Sequence, residues 1–190
     1  MKISSILLTT ILLLATNLAM ALEEPEYEVL SATDVYEIRR YEPFIVAEVD
    51  VGGDVDSAGN RAFGILAGYI FGDNREQAKM RMTAPVTSVD SESAGYTYAF
   101  VMESKYTLET LPLPNDPRIR ITRTEPRTMA AHRYSGRWTE KNYERHVEKL
   151  RATLAAEGIE TRGGPVLARY NSPFTPWFMR RNEILFEIVE

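Results

Sequence analysis

The feature that most constrains this chain is a weak internal duplication. Arg40-Tyr41-Glu42-Pro43-Phe44-Ile45-Val46-Ala47 returns as Arg123-Thr124-Glu125-Pro126-Arg127-Thr128-Met129-Ala130, with Pro43 and Pro126 lying 83 residues apart. Gly53 and Gly136 are related by the same offset. Four identities carry little weight alone. The surrounding elements, however, recur in the same order, which is the mark of a duplicated supersecondary unit.

In each half a strand comes first. Ile45, Ala47, Val49 and Val51 alternate on one face, as do Thr128, Ala130, His132 and Tyr134. This is the period of two that a half-buried strand requires. Glycine then breaks the strand and a helix follows. The first is predicted over about 57–71, with Phe63, Leu66, Ala67 and Ile70 at helical spacing. The second is predicted over about 140–157, with Tyr143, Val147, Leu150 and Leu154 as its apolar stripe. Thr139 is its expected cap and Gly158 its expected stop. Two further strands follow each helix, over about 80–89 and 96–103, where Tyr96, Tyr98, Phe100 and Met102 line one face, then 165–170 and 182–189, where Ile184, Phe186 and Ile188 do so. Prolines 112, 114, 117, 173 and 176 punctuate the connections. The fold class is therefore α+β: two β-α-β-β repeats, halves about 26–110 and 111–190, forming a distorted pseudo-two-fold β-barrel flanked by two helices. Such closure hides strand edges and leaves a groove between helix and sheet.

Residues 1–21 form a separate segment. Lys2 precedes an apolar run from Ile6 to Ala15, and Ala19-Met20-Ala21 matches a small-x-small cleavage site before the acidic Leu22-Glu23-Glu24-Pro25. These features predict a signal peptide over 1–21, a mature domain over 22–190, and a periplasmic or secreted location. An uncleaved anchor is the alternative, because a span needs about 20 apolar residues. Ser4, Ser5, Thr16 and Asn17 weaken that span. After leader cleavage no membrane span is expected.

Composition removes whole classes of chemistry. With no cysteine there are no disulfides, thiolate metal sites, covalent haem attachment or cysteine nucleophiles. A net charge of −5, from 22 Lys and Arg against 27 Asp and Glu, argues against nucleic acid as a partner. The Ser-hydrolase, P-loop, zincin and dinucleotide signatures are absent. Only His132 and His146 could offer imidazole. His132 shares the face of its strand predicted to point inward and could reach a buried ligand, although a histidine bonded to a nearby carbonyl is the commoner arrangement. The acidic residues read as surface, with Glu23, Glu24, Glu26 and Glu28 a solvated stretch.

Three stretches stand out. Lys79-Met80-Arg81-Met82-Thr83-Ala84-Pro85-Val86 mixes cations and methionines, and 171–182 joins Trp177 and Phe178 to Arg180 and Arg181. The helix from Phe63 to Phe71 carries small Gly64, Ala67 and Gly68, which allow close approach by a flat partner. Together they suit a planar, hydrophobic, acidic small molecule. Core packing with basic residues snorkelling to solvent accounts for the same pattern.

These segments, with Tyr36-Glu37-Ile38-Arg39-Arg40-Tyr41 and Tyr170-Asn171-Ser172-Pro173 through Trp177 to Arg180-Arg181-Asn182-Glu183, resemble the SOUL haem-binding protein family across about residues 26–190. The M-T-x-P-V and Y-N-x-P…R-x-N-E elements are the specific ones. The resemblance implies two β-α-β-β units in a distorted barrel, a ligand surface by the first helix, and tetrapyrrole binding without covalent attachment. It also implies kinship with gyrase-inhibitor-like small-molecule binding domains, and it supplies no agreed iron ligand.

The leading function is thus non-covalent binding of haem or a related tetrapyrrole as carrier, buffer or scavenger. Phe63, Leu66, Ala67, Ile70, Met80, Met82, Trp177 and Phe178 would pack on the macrocycle. Lys79, Arg81, Arg180 and Arg181 would pair with propionates, and His132 is the metal candidate. Another amphipathic ligand in the same groove, such as a lipid, drug or pigment, is the second reading. A small-molecule hydrolase on the same barrel is the third; it needs a groove-facing carboxylate with a raised pKa, for which Glu103 and Glu183 are the candidates. The chain is otherwise expected not to be an enzyme.

Overall fold

The computed structural model describes residues 22–53, 55–91 and 95–189, so the expected leader lies outside the described residues. The strands are β1 (Tyr27–Ala32), β2 (Glu37–Tyr41), β3 (Ile45–Val51), β4 (Val86–Ser91), β5 (Gly95–Val101), β6 (Arg120–Arg123), β7 (Arg127–Tyr134), β8 (Thr161–Arg169) and β9 (Asn182–Ile188). The helices are α1 (Val55–Ile70) and α2 (Glu140–Ala156). All nine strands form one curled antiparallel sheet in the order β1-β2-β7-β9-β8-β4-β5-β3-β6. Both helices pack on one face of this barrel-like α+β assembly.

The curl is a half-barrel, not the edge-hiding closure expected from the sequence. Among the described residues β1 and β6 each have a neighbour on one side only. The β6 edge is short and polar, Arg120-Ile121-Thr122-Arg123, and such charge and shortness blunt an edge against pairing with other chains. The β1 edge is exposed along most of its length and shows Val29 and Leu30 to solvent. Strands β1, β2 and β6 escaped the sequence reading because none shows clean alternation. The acidic stretch at 23–28 is likewise built into the fold. The Glu23 carbonyl accepts from Ala84 N, and Arg181 binds Glu24.

Alternation holds where both helices lie. In β5, Tyr98 and Phe100 point to α1 with Ile45, Ala47 and Val49 of β3, meeting Ala62, Leu66 and Ile70 from the helix. A second cluster joins Val147, Leu150 and Leu154 of α2 to Ala130, Leu167, Ile184 and Phe186. Burying each Leu side chain stabilises by about 1.5–3 kcal/mol. Thr139 caps α2 by accepting from Asn142 N at 3.3 Å. Gly53 and Gly136, which break the strands before each helix, take φ of +102° and +123°, a region that penalises any Cβ.

The other face of the sheet is apolar too. Tyr41, Met129, Ala131, Ala168 and Leu185 form one cluster there, and Val46, Ala99 and Val101 another. All of these but Ala131 line a concave cavity of about 440 Å³ on the side away from the helices. The predicted strand at 80–89 starts only at Val86. Residues 80–85 instead form an irregular connection that ends in a cis Ala84–Pro85 peptide, with Met80 N bonded to the Ile70 carbonyl.

Candidate functional site

Strand register builds the floor of a cleft on the helix side. Directly paired residues share a face, so Phe100, Val86, Arg169, Asn182 and Tyr134 make one row across the sheet. Tyr98, Ser88, Leu167, Ile184 and His132 make the next row. Over the centre of these rows lies a cleft of about 590 Å³. Tyr96, Tyr98, Tyr134, Trp138 and Tyr143 supply its aromatic surface, and Arg137 and Arg169 its cations. Asp90, Glu140 and Glu144 also border it.

The arginines stack on the rings. Arg180 lies over Trp138 at 4.2 Å and Arg169 over the same ring at 5.1 Å, while Arg137 lies 5.8 Å from Trp177. Trp138 Nε1 donates to Asn182 Oδ1 at 2.7 Å, which fixes the indole at the start of α2. Trp177 and Phe178, about half exposed or more in a one-turn 3-10 helix, therefore stand beside this end of the cleft. Burial pushes the Tyr134 and Tyr143 phenols up to about 12, so both stay protonated at neutral pH.

The predicted site residues divide by exposure. Phe63 stands half exposed on α1, its ring edge-on to Phe100 at 5.5 Å. Leu66, Ala67, Ile70 and Met80, expected against a ligand, are instead core: they are spent between α1 and the sheet. Met82 is partly buried against the same cluster. Lys79 and Arg81 are exposed near the C-terminal end of α1. Arg180 is half tied down, donating to the carbonyls of Pro173 and Thr175. Arg181 turns inward and is not free for a propionate. Its Nη1 donates to both oxygens of Glu24 at 2.9 Å, and its Nε donates to Glu183 at 3.0 Å.

His132 is buried, and both of its ring nitrogens are engaged. The Val35 carbonyl can only accept, so Nδ1 of His132 carries a proton. In the neutral ring Nε2 then accepts from His146 Nδ1, 2.9 Å away. His146 stacks on Tyr134 with centroids 4.0 Å apart. Burial, then the neighbouring His132, lower the His146 pKa to about 4, and burial lowers that of His132. Iron ligation by His132 would require breaking this relay. Fourteen residues of separation on two elements concealed the pair from sequence reading. No cluster of three His, Asp or Glu suited to a metal exists among the described residues.

Neither candidate carboxylate suits general acid catalysis. Glu183 is wholly buried. Burial favours its neutral form, but bonds and charge from Arg39, the charge of Arg181 and a bond from Tyr170 hold its pKa below the usual range. Glu103 is also held low: burial is outweighed by the Arg81 N–H and by Lys105.

Over residues 22–187 the sequence matches the family described as SOUL heme-binding protein. The chain belongs to the SOUL family. It is 30% identical over 159 residues to Heme-binding protein 1 of Xenopus laevis, covering 80% of this chain and 82% of that one. It is 28% identical over 181 residues to Heme-binding protein 2 of Mus musculus, covering 86% and 88% respectively. Among solved structures, the EcmrR C-terminal domain superposes with a TM-score of 0.64 at 10% identity, covering 86% of this chain and 98% of that domain. This last likeness is one of fold alone.

The SOUL signature residues prove to be mostly architectural. Glu183 anchors Arg39, Tyr170 and Arg181; Asn182 holds Trp138; Thr83 Oγ1 donates to the Val101 carbonyl. Register places Val86 opposite Arg169, so the two most specific motifs meet in the middle of the sheet. The cleft-lining Tyr96, Tyr98, Tyr134, Trp138 and Tyr143 were missed as site residues. Their signal was present, because four of them had been assigned to strand faces or the helix stripe that point toward the helix side.

Proposed function

We propose that this SOUL protein binds haem or a related tetrapyrrole non-covalently in the cleft between the sheet and the start of α2, as a carrier, buffer or scavenger. The observation that carries the reading is the aromatic surface of Tyr96, Tyr98, Tyr134, Trp138 and Tyr143 joined to Arg137 and Arg169. A planar macrocycle gains from stacking and apolar burial there, and its carboxylates find guanidinium partners at the rim. Trp177 stands beside the cleft by Arg137, and Phe63 lies further along the helix side of the sheet against Phe100. When bound, haem would supply iron redox chemistry; the chain's own residues bind it, orient it and exclude water. The protonated tyrosines and the engaged histidine pair favour grip by the ring over ligation of the metal.

The same reading takes residues 1–21 as a cleaved leader and the periplasm or exterior as the location. It takes the two halves, about 26–110 and 111–190, as duplicated units. The sheet order supports this: outward from β4–β8 it meets β5, β3 and β6 on one side, and β9, β7 and β2 on the other. No helix of the described residues is long and apolar enough to cross a membrane.

A second reading, a different amphipathic ligand, draws on Asp90, Glu140 and Glu144 beside the aromatics, a set that suits a lipophilic cation. A haemin titration followed by Soret absorption separates the two, with iron-free protoporphyrin and tetraphenylphosphonium as competitors. Saturable one-to-one uptake, matched by protoporphyrin and weakened by Arg137→Glu, is the expected result. Haemin uptake that protoporphyrin does not compete would refute grip without ligation. No saturation with haemin, but saturation with the cation, would replace the tetrapyrrole.

A further inference from the structure

The concave cavity on the opposite face of the sheet has chemistry unlike that of the cleft. Its walls come from successive strands that present aliphatic side chains inward: Val46 from β3, Ala99 and Val101 from β5, Ala168 from β8, Leu185 from β9 and Met129 from β7. At about 440 Å³ it falls within the range of small-molecule sites. Tyr41, Phe44 and Tyr170 also line it, beside an aliphatic surface that suits a flexible alkyl chain.

Arg123, Arg127 and Arg162 line the cavity with Glu48, Glu125 and Glu187; Arg123 and Arg162 are exposed, whereas Arg127 is largely covered. Arg127, on the inward face of β7, lines the cavity and lies over the Phe44 ring at 5.7 Å. Its Nε is buried and has no hydrogen-bond partner among the described residues. The nearby Glu187 is already held by Arg162, through Nε at 2.9 Å and through Nη2. A buried guanidinium donor without an acceptor is costly, and the cost disappears when an anion arrives. Desolvation is also what lowers the Arg127 pKa, outweighing the charges of Glu187 and Tyr41.

We propose that this cavity is a second ligand site, separate from the tetrapyrrole cleft, and that it takes an amphipathic monocarboxylate. Its alkyl chain lies along Val101, Ala168 and Leu185, and its carboxylate accepts from Arg127. A single negative charge matches the one buried donor of this cavity that lacks a partner, and Glu48, Glu125 and Glu187 disfavour a second. The site stands on the sheet's other face and does not depend on what the cleft binds.

Isothermal titration of the purified protein with dodecanoate tests this, with dodecan-1-ol and dodecyltrimethylammonium as head-group controls. Dodecanoate should saturate one site at least tenfold more tightly than either control, which corresponds to about 1.4 kcal/mol. Arg127→Met, which keeps an apolar stem, should bring dodecanoate down to the level of the alcohol and leave the haemin titration unchanged. Ala168→Phe should weaken acid and alcohol alike by filling the cavity, with circular dichroism confirming the fold. Equal binding of acid and alcohol to the parent protein, full affinity in Arg127→Met, displacement of dodecanoate by stoichiometric haemin, or no saturable binding of any probe would each overturn the proposal. A haemin titration that fails while dodecanoate binds would count against the cleft reading alone.

Discussion

Replacing Glu183 with Gln tests whether the most specific motif residue holds the fold or works on a ligand. The carboxylate accepts from Arg39 Nη1 at 2.8 Å and Nη2 at 3.3 Å, Arg181 Nε at 3.0 Å and Tyr170 Oη at 2.8 Å. Its side chain is 0% exposed and that of Arg39 is 4% exposed. Gln keeps the shape, so no cavity opens. What is lost is the buried charge facing Arg39; Arg39 Nε keeps Glu37 at 2.7 Å, so the cost falls at the low end for a broken buried pair, about 3 kcal/mol. Arg181, at 20% exposure, retains Glu24 and adds little to the loss. With a urea m-value of about 2 kcal/mol/M, the midpoint should fall by about 1.5 M. The assay is urea unfolding followed by tryptophan fluorescence and circular dichroism, with haemin uptake measured on the folded variant. Arg39→Gln should cost a similar amount, and the double variant much less than the sum, because the two act as one unit. The sign with pH follows from the lowered Glu183 pKa. Its contribution is present above the unfolded carboxylate range and is lost as pH falls through the folded value. A Glu183→Gln protein within 1 kcal/mol of the parent would refute the structural account. So would one of normal stability that no longer takes up haemin.

Two further outcomes follow from exposure and burial. Phe63→Asp places a charge on a half-exposed position on the helix side of the sheet and should lower haemin affinity with little change in unfolding midpoint. Leu66→Asp, at a fully buried position, should unfold the protein; a folded Leu66→Asp variant with normal haemin uptake would show that α1 does not pack as described. Burial disfavours a proton on either ring of the His132–His146 pair, and a charge on one ring disfavours a charge on the other. Their depressed values mean that stability is full above the unfolded histidine value and is lost as pH falls from about 6.5 toward about 4. Allowing for the partial exposure of His146, roughly 1 kcal/mol should be lost between pH 6.5 and 5. His146→Gln should flatten that slope in urea unfolding, and an unchanged slope would show that the pair titrates normally.

The sequence by itself determined the elements that pack on the helices. Ile45, Ala47 and Val49, the Tyr98-to-Phe100 alternation and the α2 stripe of Val147, Leu150 and Leu154 appear as the periodicity required, because one buried face imposes one period. It also marked the family, through motif residues whose job is largely to hold the sheet together. It misjudged Leu66, Ile70 and Met80, because periodicity shows that a helix face is apolar but not whether sheet or ligand covers it. It marked Arg39 and Glu183 as motif residues and Glu183 as a possible groove carboxylate, but not their pairing, because the two lie 144 positions apart. Only the tertiary structure decided that the sheet stays open, with β2 beside β7 and β6 beside β3. It alone joined the two histidines and gave the strands an apolar second face. Those features depend on strand order and curl, which bring together residues far apart in the chain and leave no local pattern to read.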